Sequence, residues 1–228
     1  MLLLLINAFL LLLASFIAFT IYEELSMFPL VLRIPAALIF TYFILFFLFL
    51  AIDLVSRLIL RKAPDLLEPG TFYRTIWGIG ALARENCLHL LRGISLIAGQ
   101  SNLTWRLLGL THGKRFVVIS SRINDPSRVK IGHNVLVGTD ATLGNRYHPF
   151  RGKVDRRPIT IGNDCLIGGR AVIQNGVEIG DRVTIAVLSA VASGATLESG
   201  WIYGGVPAEK IRPLEAGRGG ASPSLQSK

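Results

Sequence analysis

Across the back half of the chain the apolar positions return every six residues. Ile131, Val137, Leu143, Ile161, Ile167, Ile173, Ile179, Ile185, Val191, Leu197 and Tyr203 share one register, and ten of these eleven are Ile, Leu or Val. The next residue is usually tiny (Gly132, Gly138, Gly144, Gly162, Gly168, Gly180, Ala186, Ala192, Gly204), and four places on stands a compact residue such as Val135, Ala141, Cys165, Ala171, Val177 or Val183. Upstream, Val117, Ile123 and Val129 keep the compact apolar place. A fixed short period predicts a β-helix, in which each coil cannot bury its apolar side alone and stacks on the next. Three units of one short strand and one corner close a triangular coil of about eighteen residues. The aliphatics point inward, and the small residues are expected to permit tight corners.

The front of the chain follows another rule. Residues 2–21 and 34–52 hold no charged side chain, and each is near the ~20 residues that cross a bilayer. The first has no Lys or Arg before its apolar run and no clean small-x-small site, which favours a transmembrane helix over the alternative, a cleaved signal peptide. Arg57, Arg61 and Lys62 follow the second run directly. Basic flanks stay in the cytoplasm, so a hairpin with both termini in the cytoplasm of an inner-membrane, multi-pass protein is expected.

Four segments result: a hairpin of two spans at 1–53, a basic amphipathic helical connector at 54–112, the repeat domain at 113–212, and a disordered tail at 213–228. Pro64, Pro69 and Gly70 break the connector, whose helices are expected on the membrane surface. A third span at 76–99 is disfavoured because Arg84, Glu85 and Arg92 would enter hydrocarbon. The net charge of +9 concentrates between Arg57 and Arg115, which points to anionic lipid headgroups as partners and not to nucleic acid. The two cysteines, Cys87 and Cys165, have no metal-type spacing; no metal is expected.

The rhythm lapses once. From Gly144 to Pro158 the sequence reads GNRYHPFRGKVDRRP, polar and basic where two more strands would fit.

The stretches Val129-Lys-Ile-Gly-His-Asn-Val-Leu-Val-Gly, Pro158-Ile-Thr-Ile-Gly-Asn-Asp-Cys-Leu-Ile-Gly-Gly and Tyr203-Gly-Gly-Val-Pro-Ala resemble the left-handed β-helix acyltransferases of the hexapeptide-repeat superfamily. The likeness is nearest to the galactoside, maltose and xenobiotic O-acetyltransferase group. The order of membrane segments, Pro69-Gly-Thr-Phe-Tyr73, Trp105-Arg-Leu-Leu-Gly-Leu and a hexapeptide helix also resembles the membrane-bound terminal region of some nonribosomal peptide synthetases. The resemblance implies a mainly β fold, a left-handed parallel β-helix behind the hairpin and connector, assembled as a homotrimer. It implies acetyl-CoA or another acyl-CoA as co-substrate, and a loop at the lapse that reaches over a neighbouring subunit.

It also implies residue roles. His148, in the His-Pro of the lapse, matches the catalytic base; the competing reading is an ordinary polar loop residue. A histidine suits the task, since its pKa near 6.5 lets it take a proton from an attacking hydroxyl. Gly169, Val187 and Ala192 fall at donor-binding positions, with Lys210 and Arg212 as candidates for the CoA phosphates or as plain surface charge. Ser120, Asp125 and Asn145 fall on the acceptor side. Ala192-Ser193 stands where the family has Thr-Lys. His133 reads as a structural or exposed corner residue, and His89 and His112 take the same discount. The expected activity is transfer of a short acyl group to a hydroxyl or amine of a membrane-associated acceptor, such as a lipid-linked glycan or an assembly-line product. The alternative is a non-catalytic scaffold for a peptide or polysaccharide synthesis system. A γ-type carbonic anhydrase is excluded, because His133 and His148 do not supply its three metal-binding histidines.

Overall fold

A computed structural model describes residues 2–94, 102–119, 122–144 and 152–214. They divide into a helical unit, which holds residues up to Leu108 together with 152–154, and a solenoid unit, 109–144 with 155–214.

In the helical unit, α1 (Leu2–Glu24) passes through a short turn, Leu25–Met27, into α2 (Leu30–Leu60). Among the described residues one helix, α2, is long and apolar enough to cross a membrane; its 31 residues extend about 46 Å. Arg33 ends the apolar run by turning back, with Nη2 2.6 Å from the Ser26 carbonyl and its guanidinium 5.0 Å from the Tyr22 ring centroid.

Helix α3 (Phe72–Ile94) packs antiparallel along α2. Gly80 faces Ser56 so closely that a Cβ there would come 2.7 Å from Ser56 Cβ. Further along, Arg84 Nε lies 3.1 Å from Asp53 Oδ1, Cys87 Sγ meets the Phe46 carbonyl at 3.7 Å, and the Tyr42 hydroxyl donates to the Leu90 carbonyl. Arg57, one turn after Asp53, holds the other carboxylate oxygen at 3.0 Å. Of the charges that disfavour a span at 76–99, Arg84 is therefore paired by a carboxylate of α2. Helix α4 (Asn102–Leu107) buries Trp105 fully, and the Leu107 carbonyl accepts from Arg57 Nη2 at 2.9 Å.

The solenoid is the expected parallel β-helix. Its first face stacks Thr111–His112, Val129–Ile131, Ile159–Ile161, Glu178–Ile179 and Thr196–Leu197. The second stacks Phe116–Val118, Val135–Val137, Leu166–Ile167, Thr184–Ile185 and Trp201–Gly204, with Glu209–Pro213 added antiparallel at its end. The third stacks Arg122–Ile123, Thr142–Leu143, Val172–Ile173 and Ala190–Val191. Ile131, Ile161, Ile179 and Leu197 line up in one column, as do Val137, Ile167, Ile185 and Tyr203. All are buried.

Two features depart from the sequence reading. Val117 faces outward, half exposed, and its neighbours Phe116 and Val118 are buried. Val118 pairs with Val137, nineteen residues on where the regular coils step by eighteen. One extra residue in the first coil flips the alternation of that strand. The register glycines other than Gly144, second, are small for another reason than corner conformation. A Cβ on Gly162 would stand 2.7 Å from Gly180 C, and one on Gly168 would stand 2.6 Å from Ala186 C. The next coil's backbone lies directly over them. Left-handed conformations fall two places later, at Asn134, Asp140, Asp164, Arg170, Arg182 and Leu188, all with φ between 54° and 60°.

Side chains knit the corner between the first and second faces into a column. Lys114 N donates to His133 Nδ1 (3.0 Å), His133 N to Asn163 Oδ1 (2.8 Å), Asn163 N to Asp181 Oδ1 (2.6 Å) and Asp181 N to Ser199 Oγ (2.9 Å). His133 is thus a corner acceptor. Cys165 is buried at the same corner and donates to the Gly180 carbonyl at 3.1 Å; burial pushes its thiol up, which keeps it unreactive. At the last coil Tyr203 replaces the aliphatic, and its hydroxyl accepts from Glu198 N at 2.9 Å.

Candidate active site

The lapse in the register is an insertion that leaves the stack intact. Ile131 pairs with Ile161 and Leu143 with Ile173, thirty residues apart in both cases, where the uninterrupted coils step by eighteen. Twelve residues are therefore looped out between coils that close as though they were absent. His148, Asn145 and Ser120 lie outside the described residues; both limbs of the insertion are described.

The departing limb ends at Gly144, whose carbonyl accepts from Asn124 Nδ2 at 2.5 Å. Asp125 follows at once, half-buried, with its Oδ1 accepting from the Ser127 hydroxyl at 2.8 Å. This brings the acceptor-side candidate Asp125 to the corner from which the insertion leaves. Asn124 had no signal in the sequence beyond its neighbour.

The returning limb is clasped by the corner between the third and first faces. Arg157 grips Asp155 with Nε at 3.1 Å and Nη2 at 2.8 Å. Arg157 Nη2 also donates to Ser193 Oγ at 2.8 Å, and that hydroxyl lies 2.8 Å from the Asn175 carbonyl. The Asn175 amide donates to the Asp155 carbonyl, and Arg128 Nε donates to the Arg156 carbonyl at 2.9 Å. Burial pushes the Asp155 carboxyl up, but hydrogen bonds from the Arg157 side chain, its backbone N–H and Ser193 outweigh this and hold it below the ordinary carboxylate range. Gly176 and Gly194, both at positive φ, lie under the Arg157 side chain, which a Cβ would meet at 3.1 Å. The sequence reading matched Ala192-Ser193 to a donor site; Ser193 serves the clasp, and its partners lie thirty-six and thirty-eight residues away.

The donor-side candidates occupy three places. Gly169 and Val187 sit one above the other on the corner between the second and third faces, where Leu188 N donates to the Gly169 carbonyl at 3.0 Å. Val187 and Leu188 both project outward from it. Ala192 is exposed one corner further round. Lys210 and Arg212 stand on the terminal antiparallel strand. Lys210 pairs with Glu198 at 2.7 Å and lies 4.6 Å from the Trp201 ring centroid, so it ties that strand to the last coil. Among the described residues no group of three His, Cys, Asp or Glu side chains is placed to hold a metal ion.

Residues 158–186 match the family model described as a hexapeptide repeat of succinyl-transferase. Galactoside O-acetyltransferase of Escherichia coli (strain K12) is 37% identical over 98 residues, 40% of this chain and 47% of that protein. Delta-poly-L-ornithine synthetase of Acinetobacter baumannii is 24% identical over 151 residues, 64% of this chain and 11% of the synthetase. That aligned stretch is longer than the run from Gly113 to Lys228, so it takes in part of the helical segment. The crystal structure of a hexapeptide-repeat-containing acetyltransferase from Vibrio cholerae, complexed with acetyl coenzyme A, superposes with a TM-score of 0.48 at 21% identity, covering 65% of this chain and 92% of that one. The chain spans less than half the length of the curated relatives it matches. Within the solenoid, the hexapeptide-repeat match at 158–186 falls on the stacked coils.

Proposed function

We propose that this hexapeptide-repeat protein is a membrane-anchored acyltransferase that moves an acetyl or other short acyl group from acyl-CoA to a hydroxyl or amine. The observation that carries the reading is the polar twelve-residue insertion, which costs the solenoid no stacking and is held at both limbs by dedicated side chains. The fold's own packing does not require the loop, so its contents are the reason for it, and among them is His148. His148 takes the proton as the acceptor oxygen or nitrogen attacks the thioester carbonyl. The new bond to carbon forms, the carbon–sulfur bond breaks, and the proton passes to the departing CoA thiolate. Backbone N–H groups at the coil corners are suited to the developing oxyanion. The donor lies along the Gly169 and Val187 corner, with Ala192 and Arg212 beyond; Asp125, Ser120 and Asn145 face the acceptor.

Two features support the cellular setting. Helix α2, flanked by Arg57, Arg61 and Lys62, suits a span whose basic end is cytoplasmic, with α1 as its partner span and the solenoid in the cytoplasm. The likeness to galactoside O-acetyltransferase and to a poly-ornithine synthetase favours a glycan-type or assembly-line acceptor presented at the membrane. On the second face the outward residues Val117, Leu136, Leu166 and Ile202 share one row with Thr184, an apolar surface suited to a homotrimer. The test is transfer or hydrolysis of acetyl-CoA by the full chain in lipid nanodiscs. His148→Ala should lower turnover at least a hundredfold with acetyl-CoA binding kept; unchanged turnover would remove His148 as the base.

A further inference from the structure

We propose that the second half of α2 lies obliquely in one leaflet with α3 roofing it from water, so that lipid covers α2 as far as Leu58; this rests on the proposed membrane anchoring. Over residues 30–39 α2 is exposed round most of its circumference. From Phe40 onward its two sides differ. Phe40, Phe43, Phe47, Ala51, Leu54 and Leu58, three or four residues apart, form one outward stripe. Its five large members are each between 49% and 62% exposed. On the other side Asp53, Ser56 and Leu60 are buried against Arg84, Gly80 and Trp77 of α3.

Charge follows the same division. Asp53 ends the charge-free run of the sequence, yet it is fully buried on the α3 side and held there by Arg84. The outward stripe meets no charge until Arg61, three residues after Leu58, and Lys62, both exposed. Helix α3 is polar on its own outer side, where Thr75 and His89 are exposed and Glu85 and Asn86 half-buried. The two helices thus make a layer that is apolar on one surface and polar on the other, which suits the boundary of a bilayer. Lipid is the occupant that fits the apolar surface. The stripe continues the surface of α2, the one helix among the described residues long and apolar enough to cross a membrane, and it ends on two cations suited to anionic headgroups. Length agrees. The ~46 Å of α2 exceed the ~30 Å hydrocarbon core, and an oblique course takes up the excess.

The test is spin labelling of the full chain in nanodiscs of phosphatidylcholine and phosphatidylglycerol, with Val31→Cys, Leu54→Cys, Leu58→Cys and His89→Cys made one at a time. All four positions are exposed, so the labels leave the packing intact. Cys87 and Cys165 are buried, and the unsubstituted chain sets the background. At each site the accessibility to oxygen is divided by that to a water-soluble nickel chelate. The ratio at Leu54 and Leu58 is expected within about twofold of that at Val31 and at least about threefold above that at His89. A ratio at Leu58 as low as that at His89, with a high ratio at Val31, overturns the oblique course and leaves the anchor standing. Low ratios at all four sites overturn the anchor and this inference together. Shielding of Leu54 and Leu58 from both reagents places protein on the stripe and overturns the lipid assignment. A high ratio at His89 overturns the roof.

Discussion

At each regular corner two neighbouring positions carry different constraints. The first, next to the inward aliphatic, must be small because the following coil's backbone lies directly over it; a Cβ on Gly168 would stand 2.6 Å from Ala186 C. Gly168→Ala should therefore destabilise the solenoid by about 2 kcal/mol, as overpacking does, read as a lower denaturation midpoint. The second position, two places on, takes the left-handed conformation, and at Leu188 (φ 60°) a branched, exposed side chain occupies it. Leu188→Gly should raise stability by roughly 0.5–1 kcal/mol, the strain relieved less the added freedom of the unfolded chain. The small residues were legible in the sequence, but their cause was not: arginine and leucine do not advertise positive φ, so the bend was credited to the glycines. Asp155 adds a pH dependence. Its carboxyl is depressed in the folded protein, so the clasp contributes fully above the ordinary value near 3.9 and is lost as pH falls through the lower folded value. The Tm difference between wild type and Asp155→Asn should hold steady above about pH 5 and shrink below about pH 4.

Between elements, most of the solenoid was legible because each strand's inward and outward positions repeat, and one reading serves for nearly every coil. It failed at Val117, where a single extra residue in the first coil shifts the register. The helical unit was less legible. Arg84 reads as a charge barred from an apolar setting, since its partner Asp53 lies thirty-one residues earlier on another helix. Both are nearly fully buried. Arg84→Ala leaves the carboxylate short of a partner and should cost about 3 kcal/mol or more, whereas replacing both with Leu should cost less; thermal unfolding in micelles compares the two. Gly80 against Ser56 is the small-residue contact that lets the helices approach to that pair.

For the molecule as a whole, the site divides between what repeats and what does not. The corner that carries Gly169 and Val187 follows from the register. The clasp of Asp155, Arg157, Asn175 and Ser193 joins segments far apart in sequence, with no periodic mark on any of them. The rival scaffold reading keeps the fold and the long apolar helix and needs no donor. Calorimetry of the full chain with acetyl-CoA decides between them most directly. An acyltransferase shows saturable binding that weakens at least tenfold when Val187→Asp puts a charge on the donor corner; no binding heat at millimolar acetyl-CoA, from protein whose solenoid is folded, would contradict it.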